Sequence, residues 1–347
     1  MPSPLIKQTE DKPLPLVTVL MPVYNCEKFL KEAMQSVLDQ TYENIEFLII
    51  EDGSADRTSN VISSFSDPRI KVICHEKNEG LIRSLNEGLR IASGAYIARM
   101  DGDDKMLPNR IREQVEYMEK NTRVGICGTW IRILGTNSIG RYRAKKDETR
   151  ARLLFNSPLA HPSVILRTKL FRDKNLTYSL AFPHAEDYEL WTRVILHAEI
   201  VNIPKVLLLY RRHESQVSKL YRDDQIESTL KASLNLLATY NIRPDEDEMG
   251  IQKFIVSGYD TRYRPSDFKD LEDWLMSLYK CVIANNHNSL SPKTVKNEIE
   301  RIWIESFLSI RKPGLKLWKE YVCSPLSGNP IRNQLQYKLL LKSLLKI

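Results

Sequence analysis

Leu16-Val17-Thr18-Val19-Leu20-Met21-Pro22-Val23-Tyr24-Asn25 opens the patterned part of the chain. The run from Val17 to Met21 is apolar and β-branched, with Thr18 its one polar residue, as in a strand buried on both faces. A segment of helical length follows, Glu27 to Gln40, and then a second apolar run, Ile45 to Glu51. The alternation continues through a helix at Arg57 to Phe65, a strand at Ile70 to His75, a helix at Gly80 to Ala92 and a strand at Tyr96 to Met100. A further helix, Asn109 to Asn121, starts behind Pro108. Short strands alternating with crossover helices specify an α/β fold with a mainly parallel central sheet flanked by helices.

After Val124 the period is less regular. Short strands are expected near Ile126 to Ile133 and Val164 to Arg167, a helix near Glu186 to His197 and a strand at Lys205 to Tyr210. Beyond Asp223 nearly everything has helical period: Gln225 to Tyr240, Phe268 to Ala284, Val295 to Ser309 and Gln334 to Leu345, interrupted by Pro244, Pro265, Pro292, Pro313 and Pro330. The expected division is a loose leader over 1–15, an α/β domain over 16–220 that splits into 16–123 and 124–220, and a helical C-terminal extension over 221–347.

Composition limits the function classes. The 347 residues, 42% hydrophobic and 27% charged, are those of a compact globular chain without repeats. The net charge of +7 is carried by the segment from Arg301 onward, with nine lysines and arginines against Glu305 and Glu320. Such a basic end attracts anionic surfaces, or is simply a solvated helical face, and nucleic acid is not expected as a partner. Five scattered cysteines without a C-x-x-C pair fit a reduced, cytoplasmic compartment. No run approaches the ~18 apolar residues of a spanning helix, so contact with a membrane would be peripheral, at its inner face.

Ligands in open α/β sheets bind beyond the carboxyl ends of the strands. Here those ends read Pro22-Val23-Tyr24-Asn25, Glu51-Asp52-Gly53-Ser54-Ala55-Asp56 and Asp101-Gly102-Asp103-Asp104. Three carboxylates within four residues repel one another unless a cation offsets them, and Mg²⁺ or Mn²⁺, which complete their shells with substrate phosphates, suit such a cluster. An exposed acidic turn is the bland alternative. Asp52 reads as an Asx turn capping the helix near Arg57, with Ser54 or Asp56 as the N-cap. It could in addition accept the imide N–H of a uracil, while Tyr24 offers a ring for stacking.

The order of these segments, together with Asn78-Glu79-Gly80, Leu85-Asn86-Glu87-Gly88 and Gly94-Ala95-Tyr96-Ile97, resembles a family 2 glycosyltransferase of the GT-A fold over roughly Pro15 to Ser218. The resemblance implies an inverting enzyme that moves a sugar from a nucleotide-sugar donor, with UDP the expected nucleotide, to a saccharide or lipid-linked saccharide acceptor in surface polysaccharide or oligosaccharide biosynthesis. It implies that Pro22, Tyr24, Asp52, Arg83 and Asp101 hold the nucleotide sugar, Asp52 at the base, Asp101 at the ribose and Arg83 at a phosphate. By the same resemblance Asp103 binds Mn²⁺ or Mg²⁺, and Asp187, from the pair Glu186-Asp187, is the general base. Glu51 departs from the aspartate usual in the family, and little consequence is expected.

His213 is a further candidate metal or phosphate ligand beside Arg211, or a strand-end histidine satisfied locally. Asp104 belongs to the same cluster, and His161 is expected to order a loop on the acceptor side. The segment Gln334 to Ile347 spaces Lys338, Lys342 and Lys346 along a leucine-rich helix. It docks on the protein's own helices or, second, touches a membrane surface. Two rival functions use similar groups: a non-catalytic nucleotide-sugar-binding protein, against which the retained Asp187 argues, and a nucleotidyltransferase, whose glycine- and arginine-rich triphosphate loop is absent near the first strand.

Overall fold

The computed structural model describes residues 13–213, 220–285, 290–310 and 314–327. Nine strands are seen: β1 (Val17–Val23), β2 (Ile45–Glu51), β3 (Ile70–Cys74), β4 (Tyr96–Arg99), β5 (Lys105–Met106), β6 (Val124–Ile133), β7 (Ile139–Gly140), β8 (Ile165–Arg167) and β9 (Glu199–Tyr210). The helices of the α/β part are α1 (Leu30–Leu38), α2 (Thr58–Ser63), α3 (Leu81–Ile91), α4 (Arg110–Lys120), α5 (Lys146–Leu153), α6 (Thr168–Asp173) and α7 (Glu186–Val194). Five more follow: α8 (Arg222–Ala238), α9 (Glu246–Val256), α10 (Phe268–Ala284), α11 (Pro292–Leu308) and α12 (Gly314–Cys323).

The strands form one sheet in the order β3-β2-β1-β4-β8-β6-β9-β5, with β7 on β6. The half read from the opening sequence is parallel throughout, β3 to β2 to β1 to β4. The direction reverses at β8, antiparallel to both β4 and β6, while β9 runs parallel to β6 and antiparallel to β5. The sheet is therefore mixed but mainly parallel, its short antiparallel pairings confined to the second half and the β4–β8 junction.

Alternation along β1 builds a core on each face. Val17, Val19, Met21 and Val23 pack with Leu30, Met34 and Val37 of α1 and Ile111, Val115 and Met118 of α4. Leu20 faces the other way, with Leu85 and Leu89 of α3, and that second core continues through Leu190 and Trp191 of α7 to Leu236, Phe254, Trp274 and Trp303 of the C-terminal helices.

Helices α5, α6, α9 and α12 are absent from the sequence reading. In α5, Lys-Asp-Glu-Thr-Arg-Ala-Arg-Leu carries almost no apolar stripe, although Ala151 and Leu153 are buried. The start of α9 was marked by a capping box, since Asp245 accepts from the Glu248 amide and Glu248 from the Asp245 amide. Strand β9 begins at Glu199, six residues before the expected Lys205, because the bulges where it pairs with β6 accommodate Pro204 and hide its period. No helix among the described residues is long and apolar enough to cross a membrane. The expected helix Gln334 to Leu345 and most of the leader lie outside the described residues.

Candidate active site

The ends of β1 and β2 sit side by side, Val23 opposite Glu51, and their loops are laced together. Asn25, at φ 50°, donates its amide to Ser54 Oγ at 3.0 Å, and its Oδ1 accepts from the Ala55 amide at 2.9 Å. Asp56 Oδ1 accepts from the Thr58 amide at 2.9 Å just ahead of α2, whose N-cap is Arg57 and not the expected Ser54 or Asp56. Buried Glu51 accepts from the Ser54 amide at 2.7 Å, a turn contact that explains how a glutamate serves at this position.

Asp52 does not cap α2 as an Asx turn would. It points the other way, to the N-terminus of α3, where Oδ1 accepts from the Glu79 amide and Oδ2 from the Gly80 amide, both at 2.9 Å. His75, at the end of β3, adds a contact from Nδ1 to Asp52 Oδ1 at 2.6 Å, and its Nε2 lies 2.7 Å from Glu87 Oε2 on α3. Two carboxylates, Glu87 first, pull the His75 pKa above its ordinary value. Gly53, at φ +67°, permits this arrangement, since a Cβ there would stand 2.5 Å from the Lys77 carbonyl carbon.

At the end of β1 Pro22 is buried, whereas Tyr24 is 45% exposed. Arg83 lies on the first turn of α3, 3.9 Å from Glu79 and largely exposed.

The β4 loop carries the acids. Asp101, Asp103 and Asp104 each bring a carboxylate oxygen within 4.8 Å of the others. Gly102 lets the loop press on the β1 end, because a Cβ would approach Val23 Cγ1 to 2.9 Å. Burial, with the charges of Asp101 and Asp103 behind it, raises the Asp104 pKa well above the carboxylate range. Asp104 Oδ2 is buried and has no hydrogen-bond partner. An orphaned carboxylate oxygen among like charges fits a divalent cation, which would satisfy the oxygen and relieve the repulsion together.

The end of β9 closes over this loop. The Arg211 amide donates to Asp104 Oδ1 at 2.8 Å, its Nε to the Asp103 carbonyl at 2.8 Å and its Nη2 to Glu32 at 2.6 Å. Its guanidinium lies over the Phe29 ring at 4.4 Å, so Arg211 acts as a clasp. His213 Nε2 lies 2.8 Å from Asp103 Oδ2, which brings an imidazole nitrogen to the acidic cluster.

Arg99, buried on β4 and unremarked in the sequence, links these acids to the other wall. It pairs with Asp101 at 2.5 Å and lies within electrostatic reach of His161, Tyr178, Glu186 and Asp187. Arg110, from α4, donates to the Arg99 carbonyl at 2.8 Å, and burial pushes its pKa down to about 9.

Glu186 and Asp187 occupy the first turn of α7, which orients them by the apolar face of Leu190 and Trp191 below. Burial, then the neighbouring Asp187 charge, raises Glu186 to about 7. Burial also raises Asp187, opposed by the Tyr188 backbone amide and Arg99. His161 Nε2 meets the Tyr178 hydroxyl at 2.9 Å and its ring packs edge-on to Trp191. Burial holds its pKa well below the usual value, so it is a neutral, structural group on this wall.

Chemically, these strand ends bring together a carboxylate held by the N-terminus of α3, a cation-compatible acidic cluster and the Glu186-Asp187 carboxylate pair. Residues missed by sequence reasoning are Arg99 and His75, single polar positions at the ends of apolar strands, and Glu87, one of several polar residues on α3.

Residues 18–174 match the family described as Glycosyl transferase family 2. An uncharacterized glycosyltransferase of Haemophilus influenzae is 34% identical over 240 residues, 65% of this chain and 74% of the relative. The UDP-Glc:alpha-D-GlcNAc-diphosphoundecaprenol beta-1,3-glucosyltransferase of Escherichia coli is 33% identical over 205 residues, 58% of this chain and 79% of that one. Among solved structures, S. aureus TarS 1-349 in complex with UDP-GlcNAc superposes with a TM-score of 0.58 at 16% identity, covering 84% of this chain and 86% of that one. The Pyrobaculum calidifontis mannosyltransferase in complex with GDP-Man and Mn²⁺ gives 0.53 at 14% identity, covering 95% and 87%. The chain has the GT-A fold with added C-terminal helices, it belongs to glycosyl transferase family 2, and it is a glycosyltransferase.

Proposed function

We propose that the protein is an inverting transferase that moves a sugar from a UDP-sugar to a hydroxyl of a saccharide or lipid-linked saccharide. The observation that carries this is that the Asp101/Asp103/Asp104 cluster, with His213 against it, and the Glu186-Asp187 pair both lie within electrostatic reach of the buried Arg99. The relative that acts on GlcNAc-diphosphoundecaprenol supports the lipid-linked class, with surface polysaccharide or oligosaccharide assembly as the setting.

Asp52 takes the base, Tyr24 stacks on it, Pro22 lines its pocket, and Asp101 meets the ribose. Arg83 reaches toward the phosphates from α3. Asp103 and His213 would hold Mn²⁺ or Mg²⁺, with the buried Asp104 carboxylate beside them, and the ion would supply positive charge to the donor diphosphate. Asp187 accepts the acceptor hydroxyl proton as the oxygen attacks the anomeric carbon. The anomeric C–O bond to the diphosphate breaks, its electron pair leaves with the nucleoside diphosphate, and the new C–O bond forms on the opposite face. The basic segment Gln334 to Ile347 either docks on the protein's own helices or rests on the inner face of the membrane beside a lipid-linked acceptor, and sedimentation with anionic vesicles separates the two.

The test is donor turnover with UDP-, GDP- and dTDP-sugars in Mn²⁺, Mg²⁺ or EDTA, comparing wild type with Asp103→Ala and Asp187→Asn. Metal-dependent release of a nucleoside diphosphate, abolished by Asp103→Ala and strongly reduced by Asp187→Asn, is the expected result. Failure to bind any nucleotide sugar would sink the reading.

A further inference from the structure

The carboxylate at the base pocket is almost fully committed before any ligand arrives. A carboxylate offers about four acceptor positions, two on each oxygen. At Asp52 both positions on Oδ1 are taken, by His75 Nδ1 at 2.6 Å and the Glu79 amide at 2.9 Å, and one on Oδ2 is taken by the Gly80 amide at 2.9 Å. One position remains, on Oδ2. His75 is itself held by Glu87, 2.7 Å from its Nε2, and Arg90 stands 3.5 Å from the other Glu87 oxygen. With a carboxylate oxygen at each ring nitrogen, the imidazolium donates to both and cannot turn away.

We propose that His75, backed by Glu87, is a specificity-determining residue for the donor base: it leaves Asp52 a single acceptor position, which suits a pyrimidine with one imide N–H and refuses guanine. Uracil and thymine present one donor, N3–H, at that edge. Guanine presents two adjacent donors, N1–H and the exocyclic amino group, which need both oxygens of a carboxylate. Cytosine and adenine turn a ring-nitrogen acceptor toward Asp52 and are repelled. A buried donor left without a partner weakens binding far more than a missing contact does. The inference rests on the nucleotide-sugar reading above and adds to it the residue that enforces the base.

The experiment is calorimetric titration of the full chain with UDP, dTDP and GDP in Mn²⁺, for wild type, His75→Phe and Glu87→Gln. Wild type is expected to bind UDP and dTDP within a few-fold of each other and GDP on the order of ten- to hundredfold more weakly. His75→Phe keeps a ring but no donor; it frees a position on Oδ1, so UDP weakens and the UDP-to-GDP ratio falls toward one. Glu87→Gln, whose amide can still donate to a neutral His75, keeps most of the ratio. A merely structural role for His75 would weaken all three nucleotides equally. If His75→Phe loses the circular dichroism of a folded chain, the donor-free His75→Met takes its place. GDP bound as tightly as UDP by wild type, or an unchanged ratio in the donor-free variant, overturns the inference alone. No binding of any nucleotide overturns it together with the donor reading.

Discussion

At the residue scale the site is a set of charges whose ionisation is set by what surrounds them. As the proposed base, Asp187 has to be deprotonated, and burial raises its pKa. The acid limb of the pH–rate profile is therefore expected above the ordinary carboxylate range, with activity falling as pH drops through it. Asp187→Asn is expected to lower kcat about 10²- to 10⁴-fold while donor binding persists, measured by turnover and by calorimetry. Glu186 carries a cost to stability with the opposite pH sense. Its folded pKa of about 7 lies above the ordinary 4.5, so the folded state holds the proton longer and stability falls as pH rises between those values. Glu186→Gln is expected to stabilise the metal-free protein at pH 8 by ~1–3 kcal/mol, seen as a higher Tm in EDTA and vanishing at pH 4.

The acids at strand ends were legible because position and clustering both marked them. Arg99 and His75 were not, since a lone arginine in Tyr96 to Met100 or a histidine closing Ile70 to His75 carries no periodic signal. Their significance comes from neighbours such as Asp187 and Glu87, on other elements, that only folding supplies.

At the scale of elements, the strands Ile45–Glu51 and Tyr96–Arg99 were readable because each is an apolar run ended by acids and glycine. The polar helix α5 was unreadable because its buried Ala151 and Leu153 make no apolar stripe and its other contacts are polar or ionic. Glu298 of α11 is buried and bonds Arg152 of α5 at 3.1 Å and Arg143, just before α5, at 3.0 Å. Tyr142, beside Arg143, lies within electrostatic reach of Asp187, so this joint reaches the catalytic wall. Glu298→Ala leaves two guanidinium groups without their partner. Since Arg143 is 35% exposed, about 2–4 kcal/mol of destabilisation is expected in urea unfolding, below the toll of a wholly buried pair.

For the whole molecule, the core that starts at Leu20 and Leu85 runs without a break through Trp191 to Leu236, Phe254 and Trp303. The C-terminal helices thus cover apolar surface of the sheet half. A chain ending at Leu220 is expected to expose that surface and aggregate, while the chain through Leu326 stays monodisperse; size-exclusion chromatography with light scattering distinguishes the two. The sequence foresaw helices beyond Asp223 but could not show that they share this core, because a helical period does not say what its apolar face will cover.

Arg211 and His213 come from the end of the last strand of the sheet, yet they complete the loop of Asp103 and Asp104, 107 and 110 positions earlier. During synthesis, then, the emerging chain carries the whole acidic motif long before it has the clasp. An unfinished or misassembled chain is expected not to take up donor through the proposed site, and a labelled nucleotide bound to a nascent chain would time the closure of the sheet.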